Sequence, residues 1–222
     1  MLLAVDVGNT NIVLGVIDGE ELVSSGRVST NIYETEDECA MKIYSFLNLH
    51  NNIQIDGAII SSVVPALVST LKKAIYTVCK VNAIVVGPGI KTGLSIKIDD
   101  PAQLGADLVV GAVAAKEKYP QPTIIFDLGT ATTGSVLDKD GNFLGGTITT
   151  GVKTSINALT AGAALLPQID ITAPKKIIGT NSIESMQSGC VIGTACMIDG
   201  LIDKFEQELD EDQRKVFQKL VD

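Results

Sequence analysis

Histidine is almost missing from this sequence, with His50 the only one among 222 residues. It sits in the polar stretch 48–52, a poor place for Ser-His-Asp catalysis, and alone it cannot build a multi-histidine metal site. Cysteine is sparse as well: Cys39, Cys79, Cys190 and Cys196 are far apart and form no C-x-x-C pair. Free thiols in a reducing cytoplasm are the expectation, with Cys190 and Cys196 as packing residues on one helix rather than ligands. Positive charge is in deficit: 17 basic residues against 26 acidic give a net charge of −9, and no basic stripe stands out. That argues against nucleic acid or an anionic membrane surface as the main partner. An anionic ligand must then be held by backbone N–H groups, a metal and a few local cations. No apolar run approaches a membrane span, and Asp6 interrupts the N-terminal apolar stretch that a signal peptide would need. A soluble globular chain is expected, and no segment is of low complexity.

What is present begins at Leu2. A short apolar run, Leu2 to Val5, leads into Asp6-Val7-Gly8-Asn9-Thr10, and apolar residues resume at Ile12 before a turn at Asp18-Gly19. This reads as buried strand, tight polar turn, second strand and hairpin. Gly8 lets the backbone approach a ligand, and Asn9, Thr10 and Asn11 supply donors. Asp6 at a strand end can hold a hydrated Mg²⁺ or orient water. A polar hairpin closed by an Asx bond explains the same residues without any ligand.

A second copy tips the balance. Thr123 to Phe126 leads into Asp127-Leu128-Gly129-Thr130, a further strand follows, and Asp138-Lys139-Asp140-Gly141 closes the unit. Asp127 lies 121 residues after Asp6, more than half the chain. Acid, glycine and hydroxyl in matching places resemble the two phosphate-gripping hairpins of the acetate kinase, sugar kinase, chaperone ATPase and actin superfamily. The resemblance implies an α/β fold of two similar actin-like (ribonuclease H-like) domains, mixed sheets with helices, and a nucleotide cleft between them. The polar segment 117–122 marks the junction, giving domains 1–117 and 118–222.

Between the hairpins the pattern alternates. A third strand over 22–30 precedes a helix over 35–48, acidic at its start. A strand enters Ser61-Ser62, Pro65 opens a helix to Cys79, and residues 83–86 form another strand. Gly87 to Gly93 looks like a phosphate loop, but Ile90 precedes Lys91 and strand-like 94–96 follows, so a P-loop is rejected. A glycine-rich loop bordering the cleft, with Lys91 as a cation, remains. Pro101 suits a helix start capped by Asp100, and Asp107 stands at the entry to an apolar helix. An acid there is ordinarily dipole compensation. Later, residues 156–166 read as an apolar helix, Ser182 with Ser185 as a helix start, 189–209 as a long helix and 213–221 as one more. Val191, Ile192, Met197, Ile198, Leu201, Ile202 and Phe205 put apolar groups on more than one face of the long helix. Part of that surface is expected to meet a partner.

Together these segments resemble one family, the type III pantothenate kinases, over essentially the whole chain. Asp6 to Thr10 with Gly15 is similar to the family's first phosphate motif, and Ile60 to Pro65 and Gly89 to Gly93 to the next two. Gly105-Ala106-Asp107 matches its substrate loop, Asp127 to Thr132 its second phosphate motif, and Gly179-x-Asn181 with Ser185-Met186-x-Ser188-Gly189 its late motif. The resemblance implies ATP-dependent phosphorylation of pantothenate to 4'-phosphopantothenate, the first step of coenzyme A synthesis. Asp107 would be the general base. Asp6, Val7, Gly8, Asn9, Thr10, Asn11, Ile12, Val13 and Thr130 would meet ATP, with Mg²⁺ bridging phosphates and held through water by Asp6. Asp127 would bind the monovalent cation, K⁺ or NH₄⁺. Ile98, Gly105, Ala106, Asp107 and Leu108 would face pantothenate, with Ser182 contributed across a homodimer interface in place of a usual threonine.

Three positions depart from the pattern. Leu108 replaces a common arginine, Ile98 a common tyrosine, and the C-terminal Gly-Gly turn that helps enclose adenosine is not found before Asp222. Another small-molecule kinase of the superfamily, or a non-enzymatic regulatory relative, therefore stays open at this point.

Overall fold

The computed structural model describes residues 1–49, 53–209 and 219–221. His50 lies outside them. Two compact units emerge: Met1–Thr92 with Asp100–Val110, and Gly93–Asp99 with Gly111 onwards. The expected 117/118 boundary falls in the last turn of a helix, Ala106–Lys118, whose residues are shared between the units.

In the first unit, strands β1 (Leu2–Val7), β2 (Asn11–Asp18) and β3 (Glu21–Ser29) form an antiparallel meander. β4 (Gly57–Ser62) and β5 (Ala83–Val85) continue the sheet in parallel on the far side of β1, giving the order β3-β2-β1-β4-β5. The two-residue period of the strands buries Leu3, Val5, Val7, Ile12, Leu14 and Val16. They pack with Ile43 and Phe46 of α1 (Glu36–Leu49) and Leu67, Leu71 and Ile75 of α2 (Pro65–Cys79). Asp6, between Val5 and Val7, is thereby turned to the opposite face. α1 starts on a reciprocal box: the Glu38 N–H donates to the Thr35 hydroxyl (3.3 Å) and the Thr35 N–H to the Glu38 carboxylate (2.8 Å). Pro101 opens only a 3₁₀ turn, Pro101–Gln103, with Asp100 accepting from the Ala102 N–H at 3.1 Å. The α-helix, α3 (Ala106–Lys118), starts afterwards.

The second unit repeats the plan. β6 (Thr123–Leu128), β7 (Ala131–Leu137) and β8 (Phe143–Thr150) form the meander, and β9 (Lys219–Val221) joins β6 in parallel, giving β8-β7-β6-β9. β9 thus takes the place that β4 holds in the first unit. A helix was the expectation for 213–221; residues 219–221 are strand, and 213–218 lie outside the described residues. The strand-like stretch 94–96 makes only a single bridge, Ile96 to Phe143. The helix expected over 156–166 is α4, Val152–Gly162.

The long late helix is continuous in three parts: α5 (Ser182–Gln187), a π-helical segment (Ser188–Ile192) and α6 (Gly193–Glu208). Ile198 and Ile202 pack on Ile124 and Phe126, Met197 and Leu201 flank them, and the Phe205 ring lies 6.4 Å from that of Phe126. The apolar residues expected to seek a partner are thus mainly spent on this sheet. Contrary to the sequence reading, Ser182–Glu208 is long and apolar enough, by length and composition, to cross a membrane. Here it packs its apolar stripe against β6.

Candidate active site

The two polar turns occupy equivalent places and differ by one residue. In the first, Gly8, Asn9 and Thr10 separate β1 from β2, and the Gly8 N–H donates to the Asn11 carbonyl (2.9 Å). In the second, Gly129 and Thr130 separate β6 from β7, and the Gly129 N–H donates to the Ala131 carbonyl (2.9 Å). Asn9 and Thr10 are exposed at the first tip, as Gly129 and Thr130 are at the second. Val7 and Ile12 are buried, and Asn11 and Val13 half-buried, so the side chains flanking the turn help build the hairpin.

Asp6 pairs in register with Val13 on β2 and Ser61 on β4. The carboxylate keeps solvent access, yet enough protein surrounds it that desolvation raises its pKa above the ordinary value. The Ser61 hydroxyl pulls the pKa down, and the Asp107 charge pushes it up. Ser61 Oγ is buried and has no partner in good hydrogen-bond geometry. Asp6, the buried Ser61 hydroxyl and Asp107 therefore belong to one unit, although the motifs that carry the two acids are about a hundred residues apart.

Asp107 owes its pose to its neighbours. It lies in the first turn of α3, and its Oδ1 accepts the Leu108 N–H at 2.8 Å. The carboxylate folds back over Gly105, where any Cβ would collide with it, so the Gly-Ala-Asp order has a steric reason. Ala106 is buried and Leu108 half-buried. Ile98 belongs to the other unit, where its methyl lies 3.7 Å from the Cβ position of Gly145.

In the second unit Asp127 is exposed at the end of β6, with its Oδ1 3.8 Å from the Cβ position of Gly129. A cavity of about 800 Å³ opens nearby, within the range of small-molecule sites. Thr150, Leu159, Gly179, Ser182, Cys190 and Met197 are among its walls. Ser182 is exposed there, but it does not cap its helix. Asn181 does, accepting the Glu184 N–H at 3.0 Å, while Gly179 presses against the backbone of Ser185. Ser188 donates to the Ile177 carbonyl at 2.5 Å. Much of the late motif is thus helix-start architecture that shapes the cavity wall. The π-helical segment at Gly189 and Cys190, for which the residue pattern carries no signal, lies in the same wall.

Strand order and paired turns together define a duplicated, actin-like α/β fold. A Campylobacter jejuni protein assigned to the Baf family of transcriptional activators is similar over 90% of this chain and 78% of its own (TM-score 0.56, 18% identity). A Sinorhizobium meliloti protein assigned as a 2-dehydro-3-deoxygalactonokinase is similar over 90% and 80% (TM-score 0.55, 14% identity). The family model of type III pantothenate kinase matches residues 2–204. Type III pantothenate kinases of Exiguobacterium sp. and Halalkalibacterium halodurans are 44% and 42% identical, over 95% and 97% of this chain and 84% and 86% of theirs. The chain belongs to the type III pantothenate kinase family.

Proposed function

We propose that this chain transfers the γ-phosphoryl group of ATP to the hydroxyl of pantothenate, giving 4'-phosphopantothenate for coenzyme A synthesis. The observation that carries the reading at residue level is the register that sets Asp6 beside Ser61 on neighbouring strands of the unit that also holds the Gly105-Ala106-Asp107 turn. Asp107 acts as the general base on the hydroxyl, and Gly105, Ala106, Leu108 and Ile98 line the acceptor. The turn from Asp6 to Val13, with Thr130, meets ATP phosphates through backbone N–H groups and hydroxyls.

The donor sets fit the ions this chemistry uses. Asp6 with the neighbouring Ser61 hydroxyl offers hard oxygens suited to a hydrated Mg²⁺. No group of three or more ligating side chains occurs among the described residues, so phosphate and water must supply the remaining ligands. When bound, Mg²⁺ neutralises phosphate charge. Asp127, exposed at the end of β6, offers a carboxylate oxygen suited to K⁺ or NH₄⁺.

A homodimer completes the proposal. Ile177, Ile178 and Ile183 are 68%, 79% and 48% exposed around Ser182, an apolar surface that a second copy would cover. Four free thiols, two of them buried, suit a cytoplasmic setting. The test is product identity. Mass spectrometry after incubation with MgATP, K⁺ and pantothenate should show the phosphorylated acceptor. Phosphorylation of other small alcohols in preference to pantothenate would transfer the reading to a different kinase, which Leu108 and Ile98 would then explain.

A further inference from the structure

Both polar turns are clamped from outside by the segment that follows the third strand of their own unit. In the first unit that residue is Thr30. Its hydroxyl donates to the Gly8 carbonyl at 2.7 Å and its N–H to the Thr10 carbonyl at 2.9 Å. In the second unit the corresponding residue is Gly151, again 121 places later. Its N–H donates to the Thr130 carbonyl at 3.1 Å, and the hydroxyl of Thr154, on the first turn of α4, donates to the same carbonyl at 2.7 Å. Any side chain at 151 would collide with the Gly129 carbonyl oxygen, so this approach is open only to glycine. Neither Thr30 nor Thr154 belongs to the residues that meet substrate in the reading above.

A turn that grips phosphate has to solve an electrostatic problem. Its N–H groups attract the anion, but its carbonyl oxygens carry partial negative charge and repel it. Gly8 N–H is already committed to Asn11, so the first turn can bind phosphate only if the remaining N–H groups face outward and the carbonyls are held back. Thr30 holds two of those carbonyls, and Gly151 with Thr154 holds the equivalent one in the second unit.

We propose that Thr30 and Thr154 are positioning residues for phosphate binding, each fixing the backbone of one turn by drawing its carbonyls away from the anion. The proposal rests on the reading of these turns as ATP phosphate sites. A fixed turn also binds without first losing backbone freedom, which the unclamped turn would have to do.

The experiment compares Thr30→Val, which keeps the shape and removes the donor, with Thr30→Ser, which restores it. MgATP affinity is measured by calorimetry, and both KM values are measured in the kinase assay. Loss of one hydrogen bond predicts that Thr30→Val weakens MgATP binding and raises its KM roughly five- to tenfold. The KM for pantothenate should stay within about twofold, and Thr30→Ser should behave as wild type within the same margin. If Thr30→Val does not fold, Thr154→Val reads the same device in the second unit, with the same direction expected. Unchanged MgATP binding in a folded valine variant overturns the proposal, as does a parallel rise of both KM values without rescue by serine. A wild type that binds MgATP but does not phosphorylate pantothenate overturns the functional reading alone, because the calorimetric comparison still stands. A wild type that binds no MgATP overturns both.

Discussion

Asp6 and Asp107 lie in one unit, and the charge of Asp107 adds to the desolvation that raises the Asp6 pKa. Each has its own local reason for being where it is. Asp6 is the outward residue between two buried valines, and Asp107 is folded over Gly105. The raised pKa has a consequence for stability. A folded-state pKa above the unfolded value of 3.8 means that ionising Asp6 opposes folding. The stabilising contribution is complete below pH 3.8 and is lost as pH rises through the folded value.

Asp6→Asn should therefore raise the melting temperature at pH 7 while abolishing most activity. The gain should shrink as both proteins are melted at pH values falling towards 3.8. Thermal melts at several pH values check this. An Asn variant less stable than wild type at neutral pH would show that Asp6 is held by favourable contacts instead.

Two glycines should respond in opposite directions to alanine. Gly151→Ala drives a methyl into the Gly129 carbonyl and should cost about 1–3 kcal/mol. Gly111→Ala, on an exposed position of α3 with nothing within 4 Å of the new methyl, should stabilise by about 0.4–1 kcal/mol. Chemical denaturation of the two variants gives both signs in one experiment.

The cation assignment predicts activity in K⁺ or NH₄⁺ and little in Na⁺. Asp127→Ala should lose most activity along with that dependence. Rates measured in chloride salts of the three ions decide it, and equal rates in sodium and potassium remove the assignment.

Much of the fold was legible because the turns carry it. Asp-x-Gly followed by a polar residue, twice and 121 residues apart, gave the duplicated meander, and the helices at Glu36 and Pro65 announced themselves by acid and proline. The site was legible only in pieces. Nothing in the spacing of Asp6 and Asp107 tells that they share a unit, since that depends on where α3 starts against β1 and β4. Ser182 is the first residue of α5, the helix start that the sequence suggests, and Asn181, one place earlier, supplies the cap by reaching the Glu184 N–H. The long late helix carries apolar residues on more than one face, and Met197, Leu201 and Phe205 spread across the sheet that Ile198 and Ile202 bury, a division of labour that the sequence alone does not reveal. β9 was missed because three residues are too few to show a period.

Oligomeric state follows from the exposed surface instead of the helix core. Light scattering at micromolar concentration should give a dimer, and Ile178→Glu with Ile183→Glu should shift it to monomer without lowering the melting temperature of the monomer unit. A monomeric wild type would remove the shared role of Ser182.

The most direct measurement is phosphoryl transfer by Asp107→Asn at saturating MgATP and pantothenate, set beside its MgATP affinity. As general base, Asp107 predicts a loss of roughly 10²–10⁴ in kcat with nucleotide affinity and fold retained. Turnover close to wild type would contradict the account and return Asp107 to the part of an acid at a helix N-terminus.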